Sequence, residues 1–376
     1  MHRALKLICL GTLVCLTACS VFKEPKNPPS ALVEFKSSLS VKKVWSARVG
    51  DSGSFVFSPV YVGGSVYAAA ANGNIFRFDN STGREIWKID ADVPLSAGVG
   101  ADETTLAVGG DKGLLLAFDP EGKLRWKIQA ASEILSAPAV GDGLVVVRSM
   151  DNHIAAYDAM SGKRRWVVER TLPPLILRSA IGMVIYDHNV YVGLPGGKLI
   201  SINLASGSVR WEATVGEPKG ATELERVADV SGFPVVNGAD VCASAYQGKV
   251  SCFDLKTGLL RWAKALSTEM GVSVDERFVF AADDKGSVNA FSRSAGLSEW
   301  KNDKLAYRKL SAPISFGRSV AVGDYQGYVH FLSREDGSFL ARESTNGSAI
   351  VSTPIVAGKN VIFQTKEGEI VAFAID

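Results

Sequence analysis

Chemistry needs side chains of the right type within reach of one another, and this sequence offers few such sets. Three histidines, His153, His188 and His330, remain once His2 near the start is set aside, and they fall in different repeats. No two share a metal-ligand spacing. Nothing marks a nucleophile with its base. The Gly109-Gly110 and Gly196-Gly197 pairs sit at hairpin turns rather than in a phosphate-cradling loop. No catalytic residue, metal ligand or cofactor is therefore assigned, and the chain is expected not to be an enzyme. The chemistry that does stand out is attachment and recognition. Cys19 follows Leu16-Thr17-Ala18. This spacing reads as a lipobox: small residues admit a signal peptidase, and the Cys19 thiol takes a diacylglycerol. Leu175-Ile176-Leu177-Arg178 follows Pro173-Pro174, so stiffened, consecutive apolar residues end on a planar cation. That composition suits an interface. The competing reading is that Leu175 and Leu177 seal a sheet end and Arg178 pairs internally.

The residues before Cys19 fit an export signal. His2, Arg3 and Lys6 precede the apolar run Leu7–Leu16, which is too short for a permanent membrane span. Residues 1–18 are expected to be removed. Residues 19–40, with Pro25, Pro28 and Pro29, are expected to form a flexible tether. Lipid chains contributing about 0.8 kcal/mol per buried CH₂ would hold it in the membrane. Removing 1–18 takes away Arg3 and Lys6 and no acid, leaving 39 basic and 39 acidic residues. This balance argues against nucleic acid as a partner, because phosphate binding needs a basic surface.

The tryptophans reveal what positions these groups. Trp45, Trp87, Trp126, Trp166, Trp211, Trp262 and Trp300 are spaced by 42, 39, 40, 45, 51 and 38 residues. A Gly stands four residues before six of them. Phe78-Asp79-x-x-Thr82-Gly83-x-x-x-Trp87 is repeated at Tyr157 to Trp166 and at Phe253 to Trp262. A period near 40 with several short strands is the signature of a β-propeller. Within one unit, Ser58-Pro59-Val60-Tyr61-Val62, Ser65 to Ala71, Ile75 to Asp79 and Ile86-Trp87-Lys88 read as four strands, and Asn72-Gly73 as a tight hairpin turn. The Trp is expected to fill the wedge between blades. A seventh unit, Ser311 to Arg342, has Ala341 where Trp is expected, and an eighth, Ser352 to Asp376, stops after three strands. The fold class predicted over residues 41–376 is all-β, an eight-bladed β-propeller with four-stranded blades. Residues 43–49 should supply the missing outer strand and close the ring.

The unequal intervals locate a site. The extra residues before Trp211 and Trp262 fall mainly in Glu169 to Arg178 and Ala213 to Asp229. Adjacent connections of one type project from one rim, where function tends to lie. Outer strands also expose backbone groups on which an extended partner segment can add. Cys242 and Cys252 flank the hairpin at Tyr246 to Lys249. A three-residue turn would set them face to face, close enough for a disulfide, whereas a two-residue turn would point them to opposite faces.

The Asp-x-x-Thr-Gly-x-x-x-Trp repeats resemble those of the pyrroloquinoline-quinone propellers. With the lipobox and eight units, the mature chain as a whole resembles the BamB family, the propeller lipoproteins of the outer-membrane β-barrel assembly (BAM) machinery. The resemblance implies an outer-membrane anchor facing the periplasm, a scaffold role in assembling barrel proteins, and binding to the POTRA domains of BamA. Unfolded outer-membrane protein segments are a further implied partner. Ser20, where an Asp would signal inner-membrane retention, agrees. The family's Leu-x-Leu-Arg segment for BamA stands here as Leu175-Ile176-Leu177-Arg178, followed by Ser179 where the family has Gly. Of a second family segment with two acids, Asp229 matches and Ser231 does not. Asp229 is thus a candidate BamA contact, or a brace that pairs with Arg178. The alternatives are a quinoprotein-type dehydrogenase, which would need quinone and calcium in the central funnel, and a generic periplasmic adaptor.

Overall fold

The computed structural model describes residues 27–375; the export segment 1–18 and Cys19 lie outside the described residues. Eight four-stranded antiparallel sheets form a ring of blades, with no inter-sheet strand exchange except at closure. Blade one comprises Val60–Val62, Ser65–Ala69, Asn74–Asp79 and Glu85–Asp90, numbered from the axis outward. The second and third strands of each blade are almost wholly buried, because neighbours cover both faces. Up-and-down topology sorts the turns onto two rims. The first rim carries the connections between blades and the hairpins joining second to third strands. The second rim carries the remaining turns.

Each Trp clasps the blade after its own. All seven indole N–H groups donate to a backbone carbonyl in the next blade's last turn, from Trp45 to Asn80 O (2.7 Å) round to Trp300 to Arg334 O (2.9 Å). The turn is built to receive it. Asp79 Oδ1 accepts from the Ser81 and Thr82 hydroxyls (2.6 and 2.8 Å) and from both their amides. Those donors hold the exposed Asp79 carboxyl down to about 2, the Ser81 hydroxyl contributing most. The turn then needs a residue with positive φ lying flat under the indole. At Gly207 φ is +75°, and a Cβ there would stand 2.7 Å from Trp166. Only glycine meets both demands.

Closure follows the predicted route and explains the missing Trp. Val41–Arg48 pairs antiparallel with Glu369–Ile375 as the outer strand of blade eight, and Trp45 then clasps blade one. Blade eight is made of two chain segments, so it has no last turn for blade seven to clasp. Ala341 occupies the Trp position of blade seven, opposite Phe331. Leu39, 4% exposed, fills the space in the same apolar cluster. Residues 30–40 differ here from the expected tether. They pack on blade seven, with Ser38 and Leu39 amides donating to Leu340 O and Phe35 stacked on Phe339 at 5.2 Å.

Beneath them lies a buried polar cluster. Asp324, fully buried, accepts from Arg308 Nε (2.8 Å) and faces His330 Nε2 (2.9 Å); Arg342 Nε donates to His330 Nδ1 (3.2 Å). This arrangement assigns His330 as the neutral tautomer with its proton on Nε2. Cys242 and Cys252 face each other in register, joined as a disulfide with Cα atoms 4.1 Å apart. The turn between their strands is the three-residue form, 246–248, with Gln247 at positive φ.

Two predictions follow from this packing. Gly207→Ala should lower stability by about 1–3 kcal/mol through overpacking against Trp166, read as a lower Tm. The same change at the exposed Gly347, where φ is also positive (+86°) but no atom lies within 4 Å of an added Cβ, should cost only the backbone strain. Second, burial, with Arg342 and Arg308 nearby, pushes the His330 imidazole below its ordinary value, although Asp324 pulls the other way. A depressed histidine contributes stability that is present above the unfolded value of about 6.5 and lost as pH falls below it. Denaturant midpoints should therefore drop between pH 6.5 and 5. His330→Gln should flatten that slope. The exposed His188–Asp142 pair has the opposite sign and is screened by solvent.

Candidate functional site

The two longest connections between blades, 170–182 and 215–229, lie side by side on the first rim. The first joins the outer strand Arg164–Glu169 of blade three to the inner strand Met183–Tyr186 of blade four. The second leads from Val209–Thr214 to Val230–Asn237 of blade five. Blade four's hairpin lies beneath both: Val215 N donates to Gly197 O (2.8 Å), and Pro173 rests against Gly196.

Asp229 ties these pieces together. Its Oδ2 accepts from Leu177 N (2.6 Å) and its Oδ1 from Gly196 N (2.9 Å). The side chain is 1% exposed, so Asp229 is not a surface contact in this arrangement. It also does not pair with Arg178. Burial pushes its carboxyl up, opposed by the two amides and by the nearby Arg148. Arg148 is itself buried, which lowers it to about 10. It stays charged at neutral pH and offsets the Asp229 carboxylate. The polar link fixes the backbone at the centre of Leu175 to Arg178, because a buried carboxylate cannot give up its donors without cost.

The fixed loop presents two kinds of surface. Leu172 and Leu175 point outward, 36% and 42% exposed. Leu177 turns inward, and with Phe55, Val56, Leu135 and Met270 it lines a cavity of about 380 Å³ at the mouth of the axial channel. Arg178 reaches across to Glu133 Oε1 (2.5 Å), with more than half of its side chain exposed. Such an exposed pair contributes little, so the guanidinium can exchange Glu133 for a partner's carboxylate or carbonyl. Ser231, standing where the family's second acid falls, is buried and donates to Thr268 O (2.6 Å). Its position serves the contact between blades five and six.

One candidate was not singled out from the sequence. Leu224, 69% exposed, caps the 215–229 connection. It sits in a turn held by Ala221 and Thr222 amides donating to Glu225 Oε2, and by Glu225 N donating to Thr222 Oγ1. Thr222-x-x-Glu225 is a capping-box spacing, a signal that could have revealed an ordered tip carrying an exposed Leu. Among the described residues, no three His, Cys, Asp or Glu side chains group as a metal site. Blade five's bulge between Ser231 and Val235 brings Phe233 to the axial channel, where it lines cavities of about 420 and 330 Å³. The smaller of these has no carboxylate in its lining.

Fold and site together define an eight-bladed β-propeller whose first rim carries a braced, partly apolar loop platform. A family profile described as outer membrane protein assembly factor BamB matches residues 71–302. The BamB of Burkholderia pseudomallei is 42% identical over 97% of this chain and 96% of its own length. That of Bordetella pertussis is 45% identical over 97% and 95%. This chain belongs to the BamB family of outer-membrane protein assembly factors. The crystal structure of BamB from Moraxella catarrhalis superposes with a TM-score of 0.82 at 25% identity, covering 89% of this chain and all of that one. A quinohemoprotein alcohol dehydrogenase from Comamonas testosteroni reaches 0.69 at 14% identity, a likeness of fold alone.

Asp229→Ala should free the amides of Leu177 and Gly196 and remove one of the two carboxylates, with Asp151, that offset Arg148. The expected result is faster hydrogen exchange confined to 171–182 and the Gly196-Gly197 hairpin, with a loss of about 3 kcal/mol. Unchanged exchange there would show that Asp229 does not hold the loop.

Proposed function

We propose that this chain is a non-catalytic scaffold of the outer-membrane β-barrel assembly complex, anchored by lipid on Cys19 and facing the periplasm. Its partner is BamA, bound through POTRA domains on the first rim. The observation that carries this reading is the loop brace. Asp229 spends its carboxylate on the backbone of Leu177, and the effect is to hold Leu175 and Arg178 outward in a fixed pose. A preordered loop with an aliphatic anchor beside an exchangeable Arg loses little entropy on binding. Direct contacts are assigned to Leu175 and Arg178, with Leu172 and Leu224 beside them. Leu177 and Asp229 act by positioning.

The relatives' name, assembly factor, supports the scaffold role. The quinoprotein alternative has less support: a quinone with calcium needs a set of carboxylate ligands, the smaller axial cavity beside Phe233 offers none, and in the larger one Asp275 already accepts from Ser315 and pairs with Arg334.

The test is a pull-down of the lipoprotein from mildly solubilised outer membranes, comparing wild type with Leu175→Ala/Arg178→Glu. BamA should accompany the wild type and be largely lost from the variant. Retention by both would make the loop structural. Absence from both would sink the scaffold reading, and the generic adaptor would replace it.

A further inference from the structure

The face of blade seven is built to hold an extended peptide, and residues 30–40 occupy it. Two of its donors are arginines fixed from below. Arg308, 2% exposed, is locked by Asp324 and Gln326 and extends Nη1 to Ser30 O (3.0 Å). Arg342, held by His330, extends Nη2 to Val33 O (2.9 Å) and lies over the ring of Phe35 (5.1 Å). Arg318 donates to Ser38 O (2.6 Å). Ser30 is pinned again through its amide to Ala306 O (2.9 Å) and its hydroxyl to Lys304 O (2.9 Å). These contacts run the full height of the blade. Ser38 lies at the second rim, beside the turn that carries Arg318, and Ser30 at the first rim, on the connection between blades six and seven.

The direction of this strap has a consequence. Without it the chain would leave the propeller at Ser40, at the second rim of blade eight. With it the chain leaves at Ser30, on the first rim, the rim that carries the 170–182 loop. Blade seven lies nearly half a turn of the ring from the junction of blades three and four. Docking also shortens the leash. Ten residues separate Cys19 from Ser30, about 35 Å even when fully extended, against about 70 Å to Ser40.

We propose that the docked strap, residues 30–40, is an orienting device that sets which edge of the propeller faces the bilayer. It keeps the first-rim edge at blades six and seven nearest the membrane and the Leu175 loop on the far side of the ring, open to a partner. A short leash with a fixed exit restricts the poses of a tethered domain and raises the effective concentration of its site for a partner in the same membrane. The inference rests on lipidation of Cys19, as proposed above.

The experiment uses the full lipidated chain in phosphatidylethanolamine/phosphatidylglycerol vesicles with a headgroup acceptor dye. A donor dye is placed on a cysteine introduced either at Asp303, beside the strap's exit, or at Lys359, on the second rim of blade eight. In the wild type, energy transfer should be much stronger from position 303 than from 359. In Phe35→Ala/Arg342→Ala the ratio should fall several-fold toward unity, with the melting transition retained. A second variant replaces residues 30–37 by a Gly/Ser segment of equal length and touches no propeller residue; it should behave alike. Equal ratios in wild type and both variants would overturn the strap's role. Failure of the wild type to float with vesicles would instead remove the anchor, and with it the premise.

Discussion

The structure depends on one contact repeated around a ring: an indole lying on the next blade's glycine, with its N–H given to that blade's turn carbonyl. Each part is modest alone. A buried hydrogen bond contributes about 1 kcal/mol net, and an aromatic side chain adds its buried area. Repetition changes the outcome. Seven of the eight blades are fixed to their successors at the outer edge, where wedge-shaped sheets would otherwise splay. A short polar side chain in each turn, as at Asp79, Asp119, Asn203 and Ser333, accepts backbone amides and shapes the turn around its glycine. Local turn chemistry and long-range packing therefore ask for the same residues.

The exception shows the rule. Blade eight is assembled from both chain ends and has no last turn, so a Trp on blade seven would have nothing to clasp. Ala341 and Leu39 meet there instead, and residues 30–40 are drawn across blade seven to complete the wall. Closure thus has two components: the outer strand Val41–Arg48, which was expected, and the strap before it. The cluster of Asp324, His330, Arg308 and Arg342 is the cost of seating a backbone segment on a blade face, because the carbonyls of Ser30 and Val33 must find donors.

With strands and clasps constrained, the inter-blade connections are the parts free to vary. The two that lengthen most lie next to each other, and Asp229 turns their proximity into a rigid platform. The same fold recurs in a distant quinohemoprotein alcohol dehydrogenase and in BamB from Moraxella catarrhalis.

The sequence by itself determined the period, the blade count, the ring-closing strand and the position of the long loops. These are encoded locally: tight-turn residues, alternating strands and a Trp at fixed distance from a Gly recur within each repeat. The Leu175 to Arg178 segment also stood out as a segment, because consecutive apolar residues in a connection are conspicuous. Only the tertiary structure decided that Asp229 is buried beneath Leu177 and does not pair with Arg178, that Glu133 from the preceding connection takes Arg178, and that Cys242 faces Cys252. It also decided that the Pro- and Ser-rich stretch after Cys19 is docked from Ser30 onward. Each of these depends on a register choice or on a contact between residues tens to hundreds of positions apart. Such contacts exist only once the ring has closed, and no local pattern in the chain records them.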